Sequence, residues 1–394
     1  MTQSLSYIAG QPTFDGRARS VITARDFDEA CAEIALWDGY SATPLYSLAE
    51  IAAEIDIAAI DYKHEGPRFG LGSFKALGGA YAAQKLLSRA LSRLVGADVS
   101  LADVRNGVRA GQAAGITLVS ATDGNHGRSL AWGCQRFGAP CRIYIHADVS
   151  EGRERAIRDL GAEVIRISGD YDESVLRCRQ DAEAHGWFVV SDTSWQGYTE
   201  TPRDVMAGYG VMLREVCEQA EKPPSHVFVQ GGVGGLAAAT AAALRQLWDS
   251  ESPRVVVVEP KLAPCLFESA RRGRPTTVAI EAETIMAGLS CGEPSPLAWE
   301  VLDSEVSDFL VIDDRLIPPV IRRLARPPGG DPVIEAGESG VAGLAALIEV
   351  AKSAEMREKL ALDTASRVLV IGSEGVTDPD IFARIMNDAC PRAS

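Results

Sequence analysis

The stretch Ile116-Thr117-Leu118-Val119-Ser120-Ala121-Thr122-Asp123-Gly124-Asn125-His126-Gly127 decides how this chain folds. Its apolar start, Ile116 to Val119, reads as a short buried strand, and a polar, glycine-containing loop follows. A helix is expected over 127–137, where Gly138-Ala139-Pro140 stops it. The same unit repeats downstream, with strand 141–145, helix 151–160, strand 162–167, helix 171–185 and strand 187–190. Strands alternating with helices of this length predict a parallel sheet covered on both faces. After Pro223-Pro224 the alternation resumes with strand 226–230, helix 234–248 and strand 255–259. Strands 309–312 and 368–371 and helices 339–352 and 381–386 complete it. The fold class is therefore α/β, with two open, twisted, mostly parallel sheets flanked by helices. Residues 1–88 and 200–394 are expected to form a large domain and 89–199 a smaller one. Residues 1–60 read as a lead-in with helices over 27–36 and 47–55, and 87–112 as a polar helical insertion.

The composition is that of a globular protein, 46% hydrophobic and 24% charged over 394 residues. A formal charge of -15 argues against nucleic acid or an anionic membrane as the main partner. An anionic ligand needs a local site, such as a helix N-terminus. No signal segment is read at the N-terminus, and the apolar run Val227 to Leu244 is broken by Gln230 and glycines, so no membrane span is expected. Eight cysteines stand without a framework spacing or a C-x-x-C pair. Reduced thiols, a cytoplasmic location and no metal site are the expectations. A Cys265–Cys291 disulfide is the minority alternative.

Three segments carry the chemistry. In Arg68-Phe69-Gly70-Leu71-Gly72-Ser73-Phe74-Lys75-Ala76-Leu77-Gly78-Gly79, glycines surround one lysine at the opening of a helix running to about Leu87. Its neighbours Phe74 and Leu77 predict partial desolvation, which favours a free amine able to attack an aldehyde and form a Schiff base. Gly231-Gly232-Val233-Gly234-Gly235 lies between an apolar strand and an Ala-rich helix. Its backbone N–H groups and the helix start make a phosphate cradle. It is neither a Walker loop nor a G-x-G-x-x-G fingerprint. The Ser120–Gly127 loop offers hydroxyls and amides to a carboxylate, and Asn125 to a phenolic oxygen. His126 reads as structural.

Taken together, Ser73-Phe74-Lys75, then Gly124-Asn125-His126, then the glycine loop resemble the fold-type II enzymes of pyridoxal 5'-phosphate (PLP). A closer resemblance is to the diaminopropionate ammonia-lyases. It is carried by Arg68-Phe69-Gly70-Leu71, Phe74 to Gly79, Ala121 to Arg128, Asp192-Thr193-Ser194-Trp195-Gln196-Gly197-Tyr198, Ile285 to Glu293 and Gly337-Glu338-Ser339-Gly340, and it spans about residues 40–385. The resemblance implies a cofactor between the two domains, with Lys75 as the lysine that joins it. It assigns Gly231, Gly232, Val233, Gly234 and Gly235 to the phosphate, Asn125 to the 3'-oxygen and Ser373 to the pyridine nitrogen. A neutral partner there leaves the ring a weaker electron sink, which suits loss of a β-substituent.

Asp123 and Asp192 are the expected bases, and with Thr122 they form the substrate-binding set. Two carboxylates make an anionic pocket that attracts a second ammonium on the substrate. At ~4 Å such a pair is worth about 4 kcal/mol at an effective dielectric of 20, enough to select a diamino acid over a hydroxyamino acid. Aspartates on opposite sides of Cα would serve both enantiomers, and a dry pocket would raise each carboxyl pKa and make it a better base. The implied reaction is α,β-elimination of D- or L-2,3-diaminopropionate to pyruvate and ammonia, by a homodimer acting on a small amino acid. The rivals are a lyase of serine, threonine or 3-hydroxyaspartate, a PLP carrier without turnover, and a nucleotide-binding module.

Overall fold

The strands over 226–230, 254–260, 308–312 and 367–372 are almost uninterrupted runs of Val, Ile, Leu and Phe. Such strands are buried on both faces, the signature of parallel sheets wrapped in helices. A computed structural model describes residues 4–122, 124–147, 149–169 and 171–387. The strands are β1 (Leu5–Ala9), β2 (Leu45–Ser47), β3 (Ala59–His64), β4 (Leu118–Ala121), β5 (Cys141–Ile145), β6 (Glu163–Arg166), β7 (Phe188–Val189), β8 (His226–Gln230), β9 (Arg254–Pro260), β10 (Asp308–Ile312) and β11 (Arg367–Gly372).

The chain divides into two compact units. The larger holds residues up to Ala24, Ala42–Ser73 and everything from Met212 onward. Its seven strands run in the order β1-β10-β9-β8-β11-β3-β2. Only the edge strands β1 and β2 are antiparallel to their neighbours. The smaller unit holds Arg25–Ser41 and Phe74–Val211, with a fully parallel sheet ordered β6-β5-β4-β7.

These boundaries differ from the expected segments 1–88, 89–199 and 200–394. The smaller unit begins at Phe74, ends at Val211 and takes in 25–41. Helix Lys75–Val95 packs on helix Asn125–Phe137 and on helix Glu200–Gln219 through glycines. A Cβ at Gly79 would fall 2.5 Å from Ser129 Oγ, one at Gly133 2.7 Å from Ala80 Cα, and one at Gly208 2.5 Å from the Leu77 carbonyl oxygen. Backbones approach that closely only where side chains are absent. The Lys75 helix therefore belongs with the helices it touches and runs on to Val95, past the expected Leu87.

Each sheet has one point where its strand order reverses. In the larger, β9 and β10 extend from β8 in one direction while β11 lies on the other side of β8. In the smaller, β5 and β6 extend from β4 one way and β7 lies on the other. Loops leaving two adjacent parallel strands in opposite directions open a crevice beyond the strands' carboxyl ends, and ligands collect there.

The larger unit also buries an ion cluster on β3 and the turn after it. Lys63 Nζ donates to Glu215 at 2.7 Å and to the Thr43 carbonyl at 2.8 Å. Arg68 bonds Glu215 at 2.7 and 2.8 Å and Glu65 at 2.7 and 2.8 Å. All four charged side chains are buried, two cations against two anions, so the formal sum is zero. Removing one member strands the rest. Glu215→Ala is expected to cost about 3–5 kcal/mol of unfolding free energy by urea denaturation. A loss under about 1 kcal/mol would show that the cluster is not needed for stability.

Candidate active site

Lys75 opens its helix at the second residue of the Phe74–Val211 segment of the smaller unit. The preceding turn is fixed in the larger unit. The Ser73 backbone pairs with Glu374, and the Gly375 N–H donates to the Gly72 carbonyl at 2.9 Å. Within the smaller unit, Ser129 Oγ donates to the Lys75 carbonyl at 2.6 Å and accepts from the Ala80 N–H at 3.1 Å. The first turn of the Lys75 helix is thus held to the helix that begins at Asn125.

The amine has a carboxylate on it. Lys75 Nζ lies 2.5 Å from Asp192 Oδ2, with both side chains 21% exposed. Of its chain neighbours, Phe74 lies beside it, with Nζ 5.4 Å from the ring centre. Asp192 leaves the end of β7 on a loop held by Tyr198, whose hydroxyl accepts from the Ser191 N–H at 3.0 Å and donates to the Val189 carbonyl at 2.9 Å. Burial would raise the Asp192 carboxyl, but the Lys75 ammonium, then His126, then the Lys75 hydrogen bond hold it well below the usual carboxylate range. This corrects the expectation of a raised carboxyl, because a dry pocket that also supplies the Lys75 ammonium favours the ionised form.

Thr122, Asn125 and Asp192 sit on loops leaving β4 and β7, the two strands that flank the order reversal of the smaller sheet. Thr122 is buried and its N–H donates to the Tyr144 carbonyl at 3.0 Å. Asn125 is the first residue of its helix. Asp123 lies outside the described residues. His126 is buried, and its Nε2 lies 3.0 Å from the Val190 carbonyl. A carbonyl only accepts, so Nε2 carries a proton. Burial first among causes holds His126 below its ordinary pKa.

The glycine loop and Ser373 occupy the equivalent place in the larger sheet. Gly231 to Gly235 follow β8 and Ser373 follows β11, adjacent parallel strands on either side of that sheet's reversal. Gly232 and Gly234 have φ of 64° and 100°, and Gly234 caps helix Gly235–Trp248. The Gly231 N–H donates to the Val258 carbonyl at 2.9 Å and the Gly234 N–H to the Gly231 carbonyl at 3.2 Å, a tight turn that leads into a helix N-terminus, the kind of place where anions bind. At Gly231 a Cβ would lie 2.6 Å from Glu259 Cγ, so a side chain there would displace Glu259. The Val233 carbonyl accepts from the Ser295 N–H at 2.8 Å. Ser373 is 3% exposed. Gln230 Nε2 joins the two strands by donating to the Ile371 carbonyl at 2.7 Å. A phosphate cradle on one strand and a neutral hydroxyl on the next fit a phosphorylated pyridine. Cys265 and Cys291 are not joined by a disulfide.

Sequence reasoning missed two groups. Glu259, next to last in β9, is fully buried, and its carboxyl accepts from the Leu266 and Phe267 N–H groups at 3.0 and 2.7 Å. Burial pushes it up to about 8. Tyr209 sits on helix Glu200–Gln219, which the sequence reading left unassigned, and its ring packs on Phe74 with centroids 4.6 Å apart. The flanking Gly208 and Gly210 were the available signal. Among the described residues there is no group of three or more His, Cys, Asp or Glu that could hold a metal, and no helix long and apolar enough to cross a membrane.

Comparison with known proteins gives a consistent result. Residues 36–374 match the model of the pyridoxal-phosphate dependent enzyme family. The diaminopropionate ammonia-lyase of Escherichia coli K12 is 38% identical over 369 residues, covering 92% of this chain and 90% of its own. A crystal structure of the E. coli enzyme in complex with an aminoacrylate-PLP azomethine reaction intermediate superposes with a TM-score of 0.85 at 34% identity, covering 98% and 97% of the two chains. A complex of that enzyme with D-serine gives 0.83 at the same identity and coverage.

Glu259 makes stability depend on pH. Its folded carboxyl titrates near 8 and an unfolded one near 4.5, so between those values only the folded state holds the proton. Stability therefore falls as pH rises through that window, by up to about 1.4 kcal/mol per pH unit. Glu259→Gln removes this fall. Urea unfolding at several pH values should give curves for variant and wild type that diverge upward from pH 5 to 8, and parallel curves would contradict the assignment.

Proposed function

The chain belongs to the pyridoxal-phosphate dependent enzyme family, and from that premise we propose that it is a carbon–nitrogen lyase of 2,3-diaminopropionate. Substrate of either configuration and one water give pyruvate and two ammonia. The observation that carries this reading is the Asp192 carboxylate seated on the Lys75 amine at the carboxyl end of β7. Its support is the similarity to diaminopropionate ammonia-lyases over more than nine-tenths of the chain.

Each residue has a physical task. Lys75 holds the cofactor through its amine, Gly231 to Gly235 take the phosphate, Asn125 the 3'-oxygen and Ser373 the pyridine nitrogen. The cofactor, when bound, supplies the electron sink that makes Cα–H acidic. Once the Lys75 amine is engaged elsewhere, Asp192 loses its cationic partner, its carboxyl rises toward the normal range, and it becomes a better base. Asp192 then takes the Cα proton of one enantiomer and Asp123 that of the other. Thr122 orients the substrate carboxylate, and the two aspartates favour the β-ammonium over a hydroxyl. The working form is a cytoplasmic homodimer, since symmetric dimers dominate among soluble enzymes.

The D-serine complex of the E. coli enzyme favours a second reading, a lyase of serine-like hydroxyamino acids. A kinetic panel separates the two. Pyruvate release from D- and L-2,3-diaminopropionate should exceed that from D- and L-serine by at least tenfold in kcat/KM. A preference for serine, or no turnover of either diaminopropionate by the PLP-loaded protein, would overturn the assignment. Asp192→Asn should lower kcat for one enantiomer by about 10²–10⁴, and an undiminished rate for both would remove Asp192 from the reaction.

A further inference from the structure

The ladder between β8 and β11 stops short. Val368 pairs with His226, Leu369 with Val227 and Val370 with Phe228, and the register ends there. Beyond that point β8 runs on to Gln230 beside β9, and β11 runs on to Gly372 beside β3. The two strands part where the glycine loop and Ser373 begin, so ladder bonds no longer fix the spacing of those segments. One side chain spans the gap. Gln230, 1% exposed, is the residue before Gly231. Its Nε2 donates to the Ile371 carbonyl at 2.7 Å and to the Gly340 carbonyl at 3.0 Å. Both partners only accept, so this end of the amide is the NH2 group, and both of its protons are used.

The two bonds bracket Ser373. Ile371 precedes it on β11, and Gly340 packs against the residue that follows it. A Cβ at Gly340 would fall 2.6 Å from the Glu374 carbonyl oxygen. The Ser339 N–H adds a bond to Glu374 Oε1 at 3.0 Å. Gln230 Oε1, by contrast, is buried without a partner. An apolar side chain of similar size would avoid that orphaned acceptor, so the amide is kept for its two donors. We propose that Gln230 is a positioning residue. By tying β8 to β11 across the gap it sets the spacing between the glycine loop and Ser373, so that both grip one phosphorylated pyridine. The inference rests on the reading of the glycine loop as the phosphate cradle and of Ser373 as the partner of the pyridine nitrogen. A ligand held at two fixed points gains affinity because the protein is ordered before it arrives. With the tie cut, the phosphate end still holds while the ring end is slack. Every group in this arrangement belongs to the larger unit.

The test compares two probes. Pyridoxine 5'-phosphate has the ring and the phosphate but no aldehyde for Lys75 to trap, and inorganic phosphate has no ring. Each is titrated by calorimetry into the full chain freed of cofactor. In the otherwise unaltered protein, Ser373→Ala should weaken pyridoxine 5'-phosphate about fivefold, the worth of one hydrogen bond, and leave inorganic phosphate unchanged. Gln230→Met keeps the volume and removes both donors. It should weaken pyridoxine 5'-phosphate by about fivefold or more and inorganic phosphate by less than about twofold. In that background Ser373→Ala should add less than about twofold, since the slack ring end has little left to lose. Affinity for pyridoxine 5'-phosphate within about twofold of wild type, equal weakening of both probes, or an undiminished cost of Ser373→Ala overturns the inference. No cost of Ser373→Ala in the otherwise unaltered protein, or no binding of inorganic phosphate, dismisses the underlying site reading and the inference with it. The wild-type protein decides the matter should Gln230→Met fail to fold. With 15N-labelled glutamine, the Gln230 side-chain protons should exchange slowly both with and without pyridoxine 5'-phosphate. Fast exchange that only the ligand suppresses overturns the inference.

Discussion

The pairing of the Lys75 ammonium with the Asp192 carboxylate is the constraint to which the smaller unit answers. Two charges 2.5 Å apart in a partly dry setting attract by several kcal/mol, and both lose hydration in meeting. The pair is sustained because each partner is held independently. Ser129 fixes the first turn of the Lys75 helix, and Tyr198 fixes the loop of Asp192. An ion pair of this kind is also a latch for proton transfer. While it stands, the carboxylate is a weak base. When the amine is committed elsewhere, the same carboxylate is released beside it.

Both sheets use the same topological device to make room for chemistry. The order reversals at β8/β11 and β4/β7 leave crevices at strand ends, and the glycine loop, Ser373, Thr122 and Asp192 follow those strands. Glycines at 231, 232 and 234 then suit those positions, either because φ is positive or because a side chain would displace Glu259. The buried carboxyl of Glu259 beneath an anion-binding loop is a liability when ionised. Its high pKa keeps it neutral over most of the physiological range.

Much of this was legible in the sequence, because the alternating strands and helices from 116 to 260 carry strong local signals. Strand 141–145, strand 226–230 and helix 171–185 form with the limits expected. The three recognisable segments each fall on a strand end or a helix start. The lead-in was harder. β3 contains Asp61 and Lys63, which look like surface residues, yet Lys63 is buried because Glu215, far along the chain, pairs with it. β1 is an edge strand whose partner, β10, is equally remote, with Leu5 opposite Ile312. The depressed carboxyl of Asp192 was unreadable for the same reason, since its cause is a contact between segments far apart in sequence. Tyr209 and Glu259 escaped notice because a lone buried tyrosine or glutamate has no motif.

The most direct measurement is to reduce the PLP-loaded protein with borohydride, digest it and locate the pyridoxyl group by mass spectrometry. This account predicts one group per chain, on the peptide that carries Lys75. A group found instead on Lys63, Lys85 or any other lysine, or a coloured protein that yields no modified lysine, would contradict it.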